Sequence, residues 1–497
     1  MTADRALLSA CLPESMSKSN ASRRECPMRV RGPHRTASAG RMLAVALTMC
    51  CTASLGAQGR APTPQWDRPA PEPDRIVLTW SGNPATTQSV TWRTDTTVSS
   101  PQAQLALAAD GPGFVRDAQT VPAVTERLDT RDVQGGGAVA SYHSVEFTGL
   151  LSDTLYVYRV GDGTHWSEWF QFRTASTSRK PFSFLYVGDA QNDVLSLWSR
   201  VIREGYRQAP DMRFVIHAGD LVNYGNADHE WGQWFRAGSF IHAMVPSVPA
   251  AGNHEYPTGR TNAAQRELSV FWRPQFTLPA NGAPGLPESS YWFDFEGARI
   301  LVLDSNRDIE SQAEWMRTVL RDNPQPWTIA AFHHPIFSPA RNRDNAELRA
   351  SWKPLFDEFG VDLVLTGHDH TYARGRSGGT WGTAAGIQTK NVPTGATART
   401  GTGTVYVVSV SGPKMYDVGK DAWKTFDARL DRTAENTQLF QVIRIAGDTL
   451  RYEARTATGS LYDAFHLVRG ARGNRFIDRT PAKVPTRTMS SPPAYKR

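Results

Sequence analysis

Leu363-Val364-Leu365-Thr366-Gly367-His368-Asp369-His370 reads LVLTGHDH, an apolar run that stops at a glycine and two histidines one residue apart. The run has the composition of a fully buried strand. Residues two apart on an extended chain point to the same side, so His368 and His370 project together from a strand end. Gly367 just before them lets the backbone turn sharply. On this segment alone, a loop holding two histidines by chance reads equally well, so the rest of the chain decides.

Four other apolar runs end in the same kind of residue. LYVGDA ends in Asp189, FVIHAGD in Asp220, SVPAAGNHE in Asn253 and His254, and TIAAFHHP in His333 and His334. Between the runs lie segments of helical period. Val194, Leu197, Trp198 and Val201 line one, and Leu348, Trp352, Leu355, Phe356 and Phe359 line another, stopped by Gly360. A third is expected to start at a capping box, Ser311-Gln312-Ala313-Glu314. Strands alternating with helices make an α/β layered domain, in which ligands bind beyond the carboxyl ends of strands. GTVYVVSVSG and a hairpin about Gly447-Asp448 add further strands.

Ahead of this region, Asp74 to Thr174 reads as short strands separated by turns: RIVLTW, SVTWRT, AQLALA, SYHSVEF, LYVYRVG and EWFQFRT. In the fifth, Tyr156, Tyr158 and Val160 share one face. This spacing suggests a β-sandwich of the fibronectin type III kind, without a chemical constellation of its own. The expected organisation is a leader and signal peptide over 1–57, a proline-rich linker over 58–73, the sandwich over 74–176, the α/β domain over 181–470 and a disordered basic tail over 471–497.

The net charge of +7 is a property of the ends. Residues 1–57 carry eight Lys/Arg against three Asp/Glu, and residues 471–497 carry seven against one, so the body is at −4 by difference. A nucleic-acid binder would carry its positive charge on the folded body, and none is expected to bind here. Arg41, the apolar run from Met42 to Cys51 and small residues ending at Ala57 have the layout of a secretory signal. The expected location is therefore secreted or periplasmic, with no membrane anchor after cleavage. All four cysteines, Cys11, Cys26, Cys50 and Cys51, precede that cut. A metal in the mature chain must then be held by His, Asp, Asn or Tyr.

Carboxylates, an amide and imidazoles together suit Fe, Mn or Zn rather than calcium. Two aspartates, one asparagine and three histidines exceed one tetrahedral shell but suit two ions sharing a bridging carboxylate. Two ions ~3.5–4 Å apart can clamp the attacking and leaving oxygens of a displacement at phosphorus. His368 and His370 would then serve one ion each.

The ordered blocks GD, GD, GNHE, HHP and GHDH resemble those of the calcineurin-like metallophosphoesterases. The preceding IVLTW, SVTWRT and TLYVYRVGDG segments narrow the resemblance to relatives of the purple acid phosphatases, over roughly Asp74 to Arg469. The resemblance implies a fibronectin III-like sandwich followed by a four-layer αββα domain with two transition metals, iron with zinc, manganese or a second iron. It places Asp189 and His370 on the first metal, Asp220 between the two, and Asn253, His333 and His368 on the second. His254 would stand over the substrate, neutralising the phosphoryl oxygens or protonating the leaving alcohol, with metal-bound hydroxide as the nucleophile. The implied activity is hydrolysis of small phosphate monoesters; a phosphodiesterase or nucleotidase, or a non-catalytic surface-binding protein, is the alternative.

Two departures from the family pattern stand out. The family's tyrosine ligand falls three residues after the second aspartate, where this chain has Asn223, with Tyr224 one later. Tyr224, Asn223 or Gln191 is left to complete the shell. The family's additional histidine after HHP is missing, and Arg341 or Arg343 would contact phosphate there. His334 is expected to face away, His217 to be packed, His229 and Glu230 to lie at the surface or in a lid, and Tyr256 and Tyr372 to flank the site.

Overall fold

The computed structural model describes residues 65–258, 266–377, 401–470 and 473–488. The expected leader, its cleavage site, the first seven residues of the linker and the last nine residues of the tail lie outside them.

The N-terminal module is a sandwich of two four-stranded antiparallel sheets. One runs in the order Asp74–Thr79, Gln88–Thr94, Val139–Phe147, Val124–Asp129, the other Gln119–Pro122, Gln102–Leu107, Leu155–Gly161, Phe170–Arg173. Side chains alternate across a strand. Leu78, Val90, Trp92, Phe147, Tyr156, Tyr158 and Val160 accordingly meet in the core between the sheets. The opposite face of the first sheet is covered as well. Val77, Trp80, Ala140 and Tyr142 join the core of the following domain, where Trp80 packs on Phe214, Phe293 and Phe295. That is why all seven residues of Gln88–Thr94 are buried, a covering that period-two reading of one strand does not foresee. Ion pairs link the two parts. Arg75 and Arg93 of the sandwich bind Asp228 of the second domain at 2.7 and 3.5 Å.

His143 lies inside this module between the hydroxyls of Thr94 and Thr125, at 2.8 and 2.9 Å, and burial holds it down at about 4. The folded chain keeps it neutral. Between pH 6.5 and 4 the unfolded chain therefore takes up a proton that the folded chain refuses. Its contribution is complete above pH 6.5 and is lost as pH falls towards 4, by at most ~1.4 kcal/mol per pH unit. Thermal unfolding of wild type and His143→Gln at pH 7 and pH 4 checks this. The midpoint of the variant should fall less on acidification, and an equal fall would count against it.

The second domain holds two seven-stranded mixed sheets. The first runs Ser247–Ala250, Val215–Ala218, Phe182–Val187, Leu439–Ala446, Thr449–Thr456, Leu461–Val468, Arg475–Asp478, with its first three strands parallel. The second runs Tyr291–Phe295, Ala298–Val302, Trp327–Ala331, Leu363–Thr366, Thr404–Val408, Tyr372–Ser377, Ala428–Ala434, with the second to fifth parallel. Phe184, Tyr186, Ile443 and Tyr452 of one sheet meet Ile300, Ile329, Leu363, Val405 and Val407 of the other in a common core. Beyond the second sheet, Leu301, Ala330, Val364 and Tyr406 pack on Met316, Leu320, Leu348 and Phe356 of three helices, Ile309–Arg321, Ala346–Ser351 and Lys353–Phe359. Trp198, Val201, Ile202 and Trp234 belong to the helical layer on the first sheet. The expected four layers are present: helix, sheet, sheet, helix.

Three local expectations are corrected. The helix assigned to a capping box at Ser311 starts at Ile309, after Asp308 in a left-handed conformation, and no side chain caps it. Gln312 instead turns back, its amide bonding the backbone N–H of Asp304 and the carbonyls of Asp304 and Arg307. The helix of Leu348 to Phe359 is two helices broken at Trp352, with Pro354 in the first turn of the second and Gly360 left-handed at its end. The tail expected to be disordered supplies the edge strand Arg475–Asp478, paired with Phe465–Val468. Phe476 there stacks on Phe465, with ring centroids 5.1 Å apart. Two adjacent apolar residues, Phe476 and Ile477, in a basic segment are a weak signal that only a waiting sheet edge makes decisive.

Candidate metal centre

Because the strands that carry the blocks run parallel within each sheet, their carboxyl ends share one edge. The turns beyond them are tight. Asp189, Asp220, His368 and His370 all have positive φ, of 49°, 51°, 72° and 48°. Non-glycine residues hold such angles at a cost of about 1–3 kcal/mol each, and only where the surroundings impose it. The glycines of two blocks are there for close approach. A Cβ on Gly367 would lie 2.3 Å from Asp189 Oδ2, and one on Gly252 would lie 2.2 Å from Asp220 Oδ1.

Backbone N–H groups orient both carboxylates. His368 N–H donates to both Asp189 oxygens at 2.9 Å, and His254 N–H donates to Asp220 Oδ1 at 2.9 Å. Glu255 holds the Asp220 turn, accepting from the N–H groups of Asp220, Leu221 and Gly252 at 2.8–2.9 Å and of Val222 at 3.4 Å. Burial pushes the Glu255 carboxyl up, with the charge of Asp220 adding to the effect and the N–H groups opposing it. The reading of the sequence gave Glu255 no role; the only sign of one was its place in GNHE.

The donor atoms decide whether a metal fits. His333 Nδ1 lies 2.9 Å from Ala218 O, a pure acceptor, so Nδ1 carries a proton and Nε2 is the ring nitrogen turned to the site. That Nε2 faces Asp220 Oδ2 at 3.2 Å, Asn253 Oδ1 at 3.1 Å and His368 Nδ1 at 3.1 Å; His368 Nδ1 and Asn253 Oδ1 are 2.9 Å apart. Electron-pair donors face one another, and a cation reconciles them, either a proton on His333 Nε2 or a metal ion in its place. His333 itself is pushed up to about 9, because the Asp220 carboxylate outweighs the burial that would lower it. Burial keeps His368 and His370 well below the usual histidine range, neutral and able to donate a lone pair.

A second position adjoins the first. His370 Nδ1 donates to Lys414 O at 3.1 Å, which leaves Nε2 bare, 3.6 Å from Asp189 Oδ1. Burial raises the Asp189 carboxyl, with the charge of His333 opposing and that of Asp220 adding. Asp220, though also buried, is held low by His333 and His254. Two such carboxylates side by side ask for more positive charge than these imidazoles supply. The groups Asp189–Asp220–His333 and His333–His334–His368 each bring ligand atoms close enough for one ion, and the residues fit a two-metal centre.

Asp189, Asp220, Asn253, His254, His333, His368 and His370 thus come together as the sequence suggested. Tyr224 does not join them by any hydrogen bond. Its ring lies against Gly135 of the N-terminal module, and its N–H donates to Glu230. Gln191 occupies the gap instead, with Nε2 2.8 Å from Asp220 Oδ2 and 2.9 Å from His370 Nε2, while its Oε1 is buried without a partner. Arg341 is exposed. Arg343 is committed to protein, donating to His368 O at 2.9 Å and pairing with Asp369 at 3.3 Å.

Other readings shift too. His334 does not face away: its ring lies 4.2 Å from that of His368, and its Nδ1 meets Ser305 Oγ at 2.8 Å. Glu230 is no lid residue, since it accepts from the N–H groups of Asn223 and Tyr224. His217 is packed among Trp198, Trp234 and His242.

Two family models match the chain: the purple acid phosphatase N-terminal domain over residues 73–174 and the calcineurin-like phosphoesterase over 182–372. An uncharacterized Mycobacterium tuberculosis protein is 29% identical over 367 residues, 65% of this chain and 66% of its own length. Acid phosphatase type 7 of Homo sapiens is 24% identical over 65% of this chain and 74% of its own. Purple acid phosphatase 15 of Arabidopsis thaliana is 26% identical over 47% and 49%. The chain thus spans just under two thirds of the mycobacterial relative and about half of the plant one. A purple acid phosphatase from yellow lupin (Lupinus luteus) seeds has the same fold, with a TM-score of 0.65 at 20% identity, covering 81% of this chain and 75% of that one. The solved structure of PhoD gives 0.59 at 12% identity, over 84% and 94%.

Sandwich, four-layer domain and converging ligands together define a two-metal phosphoesterase scaffold. The chain belongs to the calcineurin-like metallophosphoesterases as a purple acid phosphatase-like member. That family is one of hydrolases with a dinuclear metal centre.

Proposed function

We propose that the protein is an exported phosphatase that hydrolyses small phosphate monoesters at two transition metals, iron with zinc, manganese or a second iron. The observation that carries this reading is the meeting of His333 Nε2, His368 Nδ1, Asn253 Oδ1 and Asp220 Oδ2 within 3.2 Å, with the histidine of GNHE beside them. Asp189 and His370 would hold one ion, Asn253, His333 and His368 the other, and Asp220 would lie between. Such ions lower the pKa of a bound water and neutralise charge on phosphoryl oxygens.

The chain's own residues supply the rest. His254 Nδ1 donates to the carbonyl of Asn223, which orients the ring and leaves Nε2 3.8 Å from Asp220 Oδ2 at the more open side of the site. A protonated Nε2 there is placed to give its proton to the departing alkoxide. His254→Ala should keep its metals and lose about 10²–10⁴-fold in kcat on alkyl phosphates. It should lose much less on an aryl phosphate, whose phenolate leaves without help. Equal losses on both would remove His254 from the role of acid.

The direct test is metal content, with hydrolysis of an aryl phosphomonoester beside the matching diester, on protein starting at Gln58. Two transition metals and preferred monoester turnover support the proposal; preference for the diester, or no turnover with both metals bound, defeats it. A purple absorption band would bring Tyr224 back as a ligand. Export is checked separately: protein recovered from the medium or periplasm should begin at Gln58. Among the described residues, no helix is long and apolar enough to cross a membrane.

A further inference from the structure

The segment after strand Thr404–Val408 brings a cation to the site. Ser411 N–H donates to Gly188 O at 2.8 Å and Gly412 N–H to Asp189 O at 2.9 Å, so this segment lies in backbone contact with the Asp189 turn. A Cβ on Gly412 would come within 2.2 Å of Asp189 O. Two residues on, Lys414 O accepts from His370 Nδ1, and Tyr416 N–H donates to His370 O at 3.0 Å. The Tyr416 ring sits 4.8 Å from that of His370. Lys414 is thereby clamped beside a candidate ligand by its own backbone and its neighbours'.

Lys414 is half-buried, and its ammonium lies 5.7 Å from the centre of the Tyr416 ring. Its charge acts on both Asp189 and His370. Among the described residues it forms no ion pair, whereas Lys180, Lys353 and Lys424 each pair with an aspartate. The nearby Arg343 is already engaged by His368 and Asp369. A half-buried ammonium without a carboxylate partner, at the rim of a site for anionic esters, favours an incoming anion.

We propose that Lys414 binds a phosphoryl oxygen of the substrate and selects dianionic phosphate monoesters over monoanionic diesters, a role that rests on the hydrolase reading above. The selection follows from charge. A fixed cation in a partly desolvated site attracts a dianion more strongly than a monoanion of similar shape. The neutral Gln191 amide has no such preference and the His254 proton is given up to the leaving group, so the lysine is a lasting positive charge outside the metal shell that can read the second charge.

The test measures binding apart from turnover: calorimetric titration of inorganic phosphate into metal-loaded wild type, Lys414→Met and Lys414→Arg, with metal content and melting temperature of each. Phosphate affinity should fall about ten-fold in Lys414→Met and stay near wild type in Lys414→Arg. The monoester KM should rise in step, with a clearly smaller rise for the monoanionic diester. Unchanged phosphate affinity in Lys414→Met at full metal content overturns the proposal, as does an equal loss for monoester and diester. So does a loss of metal in Lys414→Met that Lys414→Arg restores, since the charge would then serve the metal shell. A wild type that binds phosphate but cleaves neither ester would sink the hydrolase reading alone. The ten-fold phosphate difference would still support the lysine as an anion-binding group.

Discussion

Asp220→Asn should abolish turnover, by at least ~10³-fold, and strip the centre of metal while leaving the fold intact. The substitution keeps the shape of the side chain and the bond from His254 N–H to Oδ1, and changes Oδ2. That oxygen faces His333 Nε2 at 3.2 Å and accepts from Gln191 Nε2 at 2.8 Å. An amide nitrogen placed there would face two nitrogen groups with no negative charge to balance any ion. His333, pushed up to about 9 chiefly by this carboxylate against its burial, would return towards the neutral form near pH 7. Metal content by elemental analysis and kcat on an aryl phosphate measure the outcome. An Asp220→Asn protein that keeps both metals and a tenth of its activity would show that the carboxylate does not link the two positions.

Glu255→Gln should cost about 2–4 kcal/mol of stability and lower metal affinity roughly 10–100-fold, although Glu255 touches no expected metal position. Both of its oxygens accept backbone N–H groups around the Asp220 turn, and the site is fully enclosed. Glutamine offers one acceptor oxygen and one NH₂. Either orientation sets donor against donor at a buried turn whose Asp220 sits at φ 51°. Denaturant unfolding gives the stability, and metal titration of refolded protein gives the affinity. Wild-type values for both would mean that the turn is held by its neighbours and that Glu255 is dispensable.

These two residues mark the reach of sequence reading. Asp220 is legible because it ends an apolar run after glycine, and four other runs end similarly. Glu255 is not, because its work is to accept from N–H groups of a different segment, 33 to 35 positions away. His334 and Lys414 are missed for the same reason. Whether the second histidine of HHP turns towards or away from the site depends on Ser305, which arrives from the turn after strand Ala298–Val302. Lys414 lies 44 residues beyond His370, in a segment that reads only as the end of a strand.

By itself, the sequence determined the order of blocks, the period-two sandwich strands, an α/β layered domain and the seven polar residues at strand ends. Those signals are local, carried by hydrophobic period and by glycine placed before a polar residue. The tertiary structure alone decided what lies between those strand ends: Gln191 in place of Tyr224, Glu255 beneath the Asp220 turn, Arg343 spent on His368 and Asp369, and Lys414 left over with its charge. Each of these depends on which segments meet at the shared edge of two sheets. That meeting is set by the packing of the whole core, and no stretch of sequence carries it alone.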